Sequence, residues 1–114
     1  MIDANEEMSS FNGSEHYHKY GFGMLLTDGA LAMCETHSCF WWADIICSYQ
    51  KYLRAEEFQC WTLGRNEDSS AIVLCTDGNN RLLVSQEVPW TDFKPDCATL
   101  WVEGNSVILL PSEH

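Results

Sequence analysis

Positive charge is what this sequence has least of. The 114 residues include six Lys plus Arg against 17 Asp plus Glu, which gives a formal net charge of −11 at pH 7. The imbalance runs along the whole chain: residues 1–50 hold seven acids and one base, and residues 51–114 hold ten acids and five bases. Affinity for nucleic acid comes mainly from cations that meet phosphates, so the composition disfavours direct binding to nucleic acid. Anionic membranes are disfavoured for the same reason.

Targeting and membrane signals are also absent from the sequence. The first ten residues, "MIDANEEMSS", have neither the basic start nor the apolar run of a secretory signal. The longest apolar stretches fall far short of the ~20 residues that span a bilayer. We therefore expect a cytoplasmic protein. A hydrophobic content of 46% and a length near the commonest domain size predict a single domain over residues 11–114, preceded by a flexible polar lead-in at residues 1–10.

The six cysteines are an even number, as in a disulfide framework. A reducing compartment keeps thiols free, however, and cysteine among large apolar residues behaves as a small hydrophobe. Cys47, Cys60 and Cys75 have such neighbours. The sequence therefore predicts free and mostly buried thiols.

Two helices are expected in the first half of the chain. Asp28 is a candidate N-cap for a short helix over "GALAMCETH", and Ser38 is a candidate cap for the next one. The second helix, residues 40–53, has the strongest pattern. At 100° per residue its polar positions share one narrow stripe, which consists of Asp44, Ser48, Lys51 and Ala55.

The rest of the helix circumference is apolar or aromatic. This apolar surface is far wider than the usual apolar face of a surface helix. It must be covered on two sides, by the sheet plus either the first helix or a partner chain. The second choice would make residues 40–53 a homodimer interface.

Five strands are expected in the second half, because short apolar or alternating runs are separated by turn residues. They are predicted at residues 58–63, 71–75, 82–88, 99–102 and 107–110. Short connections favour antiparallel hairpins. The predicted fold is α+β, with two N-terminal helices packed on a four- to five-stranded antiparallel meander sheet.

The stretch "MCETHSCFWW" places Cys34, His37 and Cys39 close together. Zinc sites need four ligands, usually in two spaced pairs, and no second pair follows. A nucleophilic cysteine needs a nearby base and a lowered pKa, which an acidic surface opposes. We expect no metal and no cofactor. A small zinc-binding or cysteine-dependent protein that uses these three residues remains the alternative.

Several short motifs run in order over nearly the whole chain. They are "FNGSE" at 11–15, Tyr17, "TDG" at 27–29, Trp41, Asp44, "SYQ" at 48–50, "FQCW" at 58–61, "DGN" at 77–79, "TDF" at 91–93 and "LLPSE" near the end. Together they resemble the pattern of an uncharacterised family of small bacterial and phage proteins. Cys34 and Cys39 lie outside the pattern, and the family tends to close on tyrosine where this chain has His114. The family has no assigned activity, so the resemblance implies a fold and a mobile-element setting, not a mechanism.

The expected function is that of a non-enzymatic interaction module for a protein partner with a basic surface. Eleven excess negative charges match those of roughly five or six base pairs. If they lay on one face, the protein would imitate a short duplex and inhibit a nucleic-acid-binding host protein. The alternative is a homodimeric structural module with no inhibitory role. The candidate protein-binding residues are Glu15, Asp28, Asp44, Ser48, Asp77 and Asp92.

Overall fold

Seven strands form one mixed sheet in the computed structural model, which describes residues 1–114. They are β1 (Tyr17–Lys19), β2 (Leu25–Thr27), β3 (Phe58–Arg65), β4 (Ala71–Thr76), β5 (Leu82–Val88), β6 (Cys97–Glu103) and β7 (Val107–Leu109). Their spatial order is β1-β2-β7-β6-β3-β4-β5. Every neighbouring pair is antiparallel except β2 and β7, which run parallel.

Three α-helices accompany the sheet: α1 (Ala4–Glu7), α2 (Asp28–His37) and α3 (Phe40–Tyr49). Thr27 is the N-cap of α2, because its side-chain oxygen accepts a hydrogen bond from the Ala30 amide; the predicted cap, Asp28, is the first helical residue. Ser38 ends α2 in a left-handed conformation and does not cap α3. After α3 the chain continues in a 3₁₀ turn, Gln50–Tyr52, so the predicted helix over 40–53 is two helical pieces. None of the helices has the length and apolar content needed to cross a bilayer.

The core lies between the two long helices and one face of the sheet. Along β3, β4 and β6 alternate residues are buried, as the two-residue period of a strand requires when one face is covered. Trp61, Leu63 and Leu100 fill this face, and Trp42 and Ile46 of α3 pack into the same cluster. Each such side chain contributes about 1.5–3 kcal/mol through burial.

The α+β class is confirmed, and each of the five predicted strands is present within two residues of its expected bounds. The predicted four- to five-stranded antiparallel sheet is wrong. Two further strands, β1 and β2, extend it, and the parallel β2–β7 pair makes it mixed. These strands have three residues each. Tertiary pairing with β7 stabilises them, and neighbouring residues in the sequence do not reveal such a pairing.

The N-terminal residues belong to the packed structure. Ala4 and Met8 are buried in the core cluster, and Asp3 forms a parallel bridge with Cys97 at the start of β6. The Ile2 amide donates to the Asp96 carboxylate at 2.7 Å. The boundary predicted at residue 11 therefore has no counterpart in the fold.

Other parts of the same chain cover α3 on both of its apolar sides. One side of the helix packs on the sheet, with Trp42, Ala43, Ile46 and Cys47 buried. On another side the Tyr20 ring stacks on Phe40, with 6.1 Å between ring centroids. No partner chain is needed to enclose the helix.

Candidate functional site

Two carboxylates hold the start of α2 in place, those of Glu113 and of Asp28, a predicted site residue. The Glu113 carboxylate accepts hydrogen bonds from the Thr27 hydroxyl at 2.6 Å and the Gly29 amide at 3.0 Å. The Asp28 carboxylate accepts from the amides of Glu15 and His16 and lies 2.8 Å from Nε2 of His18. The His18 contact is the main reason why the pKa of Asp28 is lowered. Glu15 and Asp28 are thus brought together, but the Asp28 carboxylate is engaged within the protein.

A buried amide cluster joins the end of α3 to β3. Gln50 and Gln59 exchange two side-chain hydrogen bonds, both at 2.8 Å. The Trp61 indole donates to Gln59, and the Asn105 amide donates to Gln50. The motifs "SYQ" and "FQCW" therefore meet in the interior, where their amides join the end of α3 to β3.

Asp77 and Asp92 lie apart from the other predicted acids. Asp77 is in the β4–β5 turn, where the Asn79 amide donates to its carboxylate and lowers its pKa. That turn lies at the opposite edge of the sheet from Asp28, which follows β2. Asp92 is exposed in the segment before β6. Asp28 and Asp77 therefore lie on different parts of the surface.

The alternative site at Cys34, His37 and Cys39 is not formed, because no group of three or more His, Cys, Asp or Glu side chains is placed to hold a metal ion. The His37 ring packs edge-on against the Phe93 ring, with 5.6 Å between ring centroids. A hydrogen bond with the Cys39 thiol and burial raise the pKa of Cys34 far above its usual value. Cys34 and Cys39 are buried in the core cluster at the entry to α3.

Phe22, in the turn between β1 and β2, is the most exposed of the Phe, Trp and Tyr residues. The sequence there is "YGFGM", and Phe22 adopts φ 62° and ψ 23° between two glycines. Left-handed backbone costs a bulky L-residue roughly 1–2 kcal/mol. Backbone hydrogen bonds from Met24 to Gly21 and from Tyr20 to Met24 close the turn. This backbone holds the Phe22 side chain outward, 74% exposed.

Phe22 borders a cavity of about 360 Å³, called the Phe22 pocket below. Its other lining residues come from the end of α3, the turn that follows and the β6–β7 connection, and are Cys47, Ser48, Gln50, Lys51, Arg54 and Asn105. The volume is within the range of small ligand sites. Three separate segments of the chain therefore build the pocket.

The Phe22 pocket is cationic although the protein is acidic. Lys51 and Arg54 are two of only six basic residues, and neither has a carboxylate within 4.0 Å. Arg65 pairs with Asp96, and Arg81 pairs with Glu56 and Asp77, whereas Lys19 and Lys94 are also without a carboxylate partner. Lys51 and Arg54 are the two unpaired cations that line one pocket. Nζ of Lys51 lies over the Tyr52 ring, 5.1 Å from the ring centroid, in a cation–π contact.

Acceptor groups complete the lining. The Ser48 hydroxyl donates to the Ile45 carbonyl at 2.7 Å, so its lone pairs stay free. The Asn105 side-chain nitrogen donates to Gln50 and to the Leu53 carbonyl, while its amide oxygen accepts no protein hydrogen bond. The pocket thus offers two cations, two acceptors and an apolar ring.

Part of the polar stripe predicted on α3 lies at the Phe22 pocket. Ser48 and Lys51 line the pocket, and the Asp44 carboxylate accepts a hydrogen bond from the Tyr20 hydroxyl, which ties the β1–β2 turn to α3. Burial and this bond raise the pKa of Tyr20. Sequence reasoning missed Phe22, for which an aromatic residue between two glycines was the available signal.

The model of a family of unknown function, DUF6876, matches residues 2–114. No curated protein and no solved structure matches the chain.

Proposed function

The chain belongs to DUF6876, a family of unknown function, and we propose that it is a non-enzymatic module that binds a partner protein at the Phe22 pocket. The observation that carries this proposal is the conformation of Phe22. Phe22 is 74% exposed, and its backbone is left-handed. The fold therefore gains little hydrophobic free energy from the ring and still bears the cost of the strained backbone. Strain of this kind clusters at functional sites. A partner that buries the ring recovers the hydrophobic energy that the monomer does not use.

The net charge of −11 supports a partner with a basic surface. Complementary charge steers encounter and raises association rates, with a steep dependence on salt. Burial raises the pKa of the Cys97 thiol, and the nearby charges of Asp3, Asp96 and Glu6 raise it further, so several acids lie together at the start of β6. In a phage or mobile-element setting such a module would inhibit a host protein by covering its nucleic-acid-binding surface.

The chemistry of the cysteines favours binding over catalysis. Burial raises the pKa of the Cys47 thiol, the cysteine that lines the pocket, to about 12. Thiolate is the nucleophilic form of cysteine, so this side chain is poorly suited to attack a substrate.

Affinity capture tests the proposal. The wild-type protein and Phe22→Ala are immobilised and exposed to an extract of the source cells at low and moderate salt. We expect the wild type to retain a basic protein whose recovery falls with salt, and Phe22→Ala to retain several-fold less. Trp90→Ala is the matched control, because Trp90 is 68% exposed and lies outside the pocket. Equal recovery by wild type and Phe22→Ala would show that the pocket is not the binding site.

A further inference from the structure

We infer that the partner segment that enters the Phe22 pocket carries a carboxylate side chain next to an apolar residue. This inference rests on the proposed function and names the chemistry of the bound segment. Lys51 and Arg54 supply its first support. Both are exposed and unpaired, as Lys19 and Lys94 also are, but Lys51 and Arg54 line the same pocket, so the fold places two cations side by side there with no acceptor of their own.

The contrast with the rest of the surface supplies the second support. A chain with a net charge of −11 attracts cations at nearly every point of its surface. Two unpaired cations weaken that attraction unless the partner places a negative group there. Local reversal of charge is a known source of register and specificity, because a wrong register brings like charges together. We therefore assign Lys51 and Arg54 to an acidic side chain within an otherwise basic partner surface.

The remaining groups of the pocket fit a peptide segment. The Phe22 ring offers an apolar surface for the residue beside the carboxylate. The free lone pairs of Ser48 and the amide oxygen of Asn105 are acceptors suited to backbone N–H groups. A guanidinium and an ammonium are the usual donors to a carboxylate, and arginine binds it in bidentate fashion.

A displayed library of random 12-residue peptides tests the assignment. The library is selected in parallel on the wild type and on the double variant Lys51→Glu/Arg54→Glu. On the wild type we expect enrichment of peptides with Asp or Glu beside an apolar residue, and on the double variant we expect that pattern to be lost. The acidic surface alone would enrich Lys- and Arg-rich peptides on both proteins, so that result would overturn the inference.

Fluorescence anisotropy with the most enriched wild-type peptide then gives affinities. We expect Lys51→Glu and Arg54→Glu each to weaken binding about tenfold or more. Replacement of the peptide's acidic residue by its amide should have a similar effect. Lys94→Glu is the matched control, because Lys94 is exposed, unpaired and separated from the pocket by the length of β6, roughly 20 Å. We expect it to change affinity less than twofold.

The two hypotheses fail in different ways. If Phe22→Ala weakens binding while Lys51→Glu and Arg54→Glu leave it unchanged or stronger, the carboxylate assignment is wrong and the pocket remains the binding site. If Phe22→Ala binds every enriched peptide as the wild type does, the proposed function is wrong. Circular dichroism of each variant establishes that the fold is retained.

Discussion

Gly29 shows how a single residue fixes the start of α2. Alanine is normally better than glycine in a helix by about 1 kcal/mol. At this position, however, a Cβ atom would lie 2.5 Å from Oε1 of Glu113 and 2.6 Å from Cδ1 of Leu110. The Glu113 carboxylate cannot move away without loss of its bonds to Thr27 and to the Gly29 amide. The close approach therefore outweighs helix propensity.

We predict that Gly29→Ala lowers the free energy of unfolding by about 1–3 kcal/mol, the usual cost of overpacking. Urea denaturation followed by tryptophan fluorescence measures it. Gly13→Ala is the control, because a Cβ there meets nothing within 4 Å, and it should change stability by less than about 0.5 kcal/mol. A more stable Gly29→Ala protein would show that Glu113 is not held as described.

At the scale of elements, the buried amides fasten α3 to the sheet. Gln50 follows α3 and Gln59 lies in β3, and both are buried with their amides facing each other. Removal of one partner takes both mutual hydrogen bonds from the other buried amide, which costs about 1–3 kcal/mol. Removal of both partners by apolar side chains of similar shape avoids much of that penalty.

We therefore predict non-additive effects in a double-mutant cycle with Gln50→Leu and Gln59→Leu. Each single variant should lose about 1–3 kcal/mol, and the double variant should lose at least about 0.5 kcal/mol less than the sum. Equilibrium urea unfolding of the four proteins gives the coupling energy. Tyr49→Phe serves as a control, because it removes a hydrogen bond to Gln86 without touching the cluster. Strict additivity would mean that the two amides act independently.

The same elements show what the sequence can and cannot predict. Strands β3, β4 and β6 were predictable because their buried face alternates over six or more residues. Strand β5 was predictable from its alternating sequence, although Val84 is its only buried residue. Strands β1 and β2 were not, since pairing between β2 and β7 joins residues about 80 positions apart. In the site, Ser48 was predictable from the stripe on α3. Phe22 and Asn105 were not, because only the folded chain brings their turns together.

At the scale of the whole molecule, two opposing electrostatic effects set the pH dependence of stability. The net charge of −11 at pH 7 destabilises the compact state through self-repulsion, which weakens as pH falls toward the isoelectric point near 4.4. In the other direction, the pKa values of Asp28, Asp68 and Asp77 are lowered in the folded state by hydrogen bonds. Protonation of these groups favours the unfolded chain, so their contribution is present above their ordinary value of 3.8 and is lost as pH falls further.

We predict maximal stability between about pH 5 and 6 at low salt, with a steep loss below about pH 4. Thermal unfolding between pH 3 and 8 measures the profile, and added salt should raise stability at pH 7 because it screens the repulsion. Asp28→Asn should be less stable than the wild type at pH 6, and the difference should shrink as pH falls below 4. A constant difference across this range would show that the Asp28 carboxylate is not stabilised by its charge.

The parallel pairing of β2 with β7 has a consequence for synthesis in the cell. During translation the strands β3 to β6 emerge with their neighbours and can pair at once, whereas β1 and β2 must wait for residues 107–109. Asn105, in the same late segment, completes the wall beside Phe22. A nascent chain released early by the ribosome would therefore lack a complete Phe22 pocket, even with most of its sheet formed.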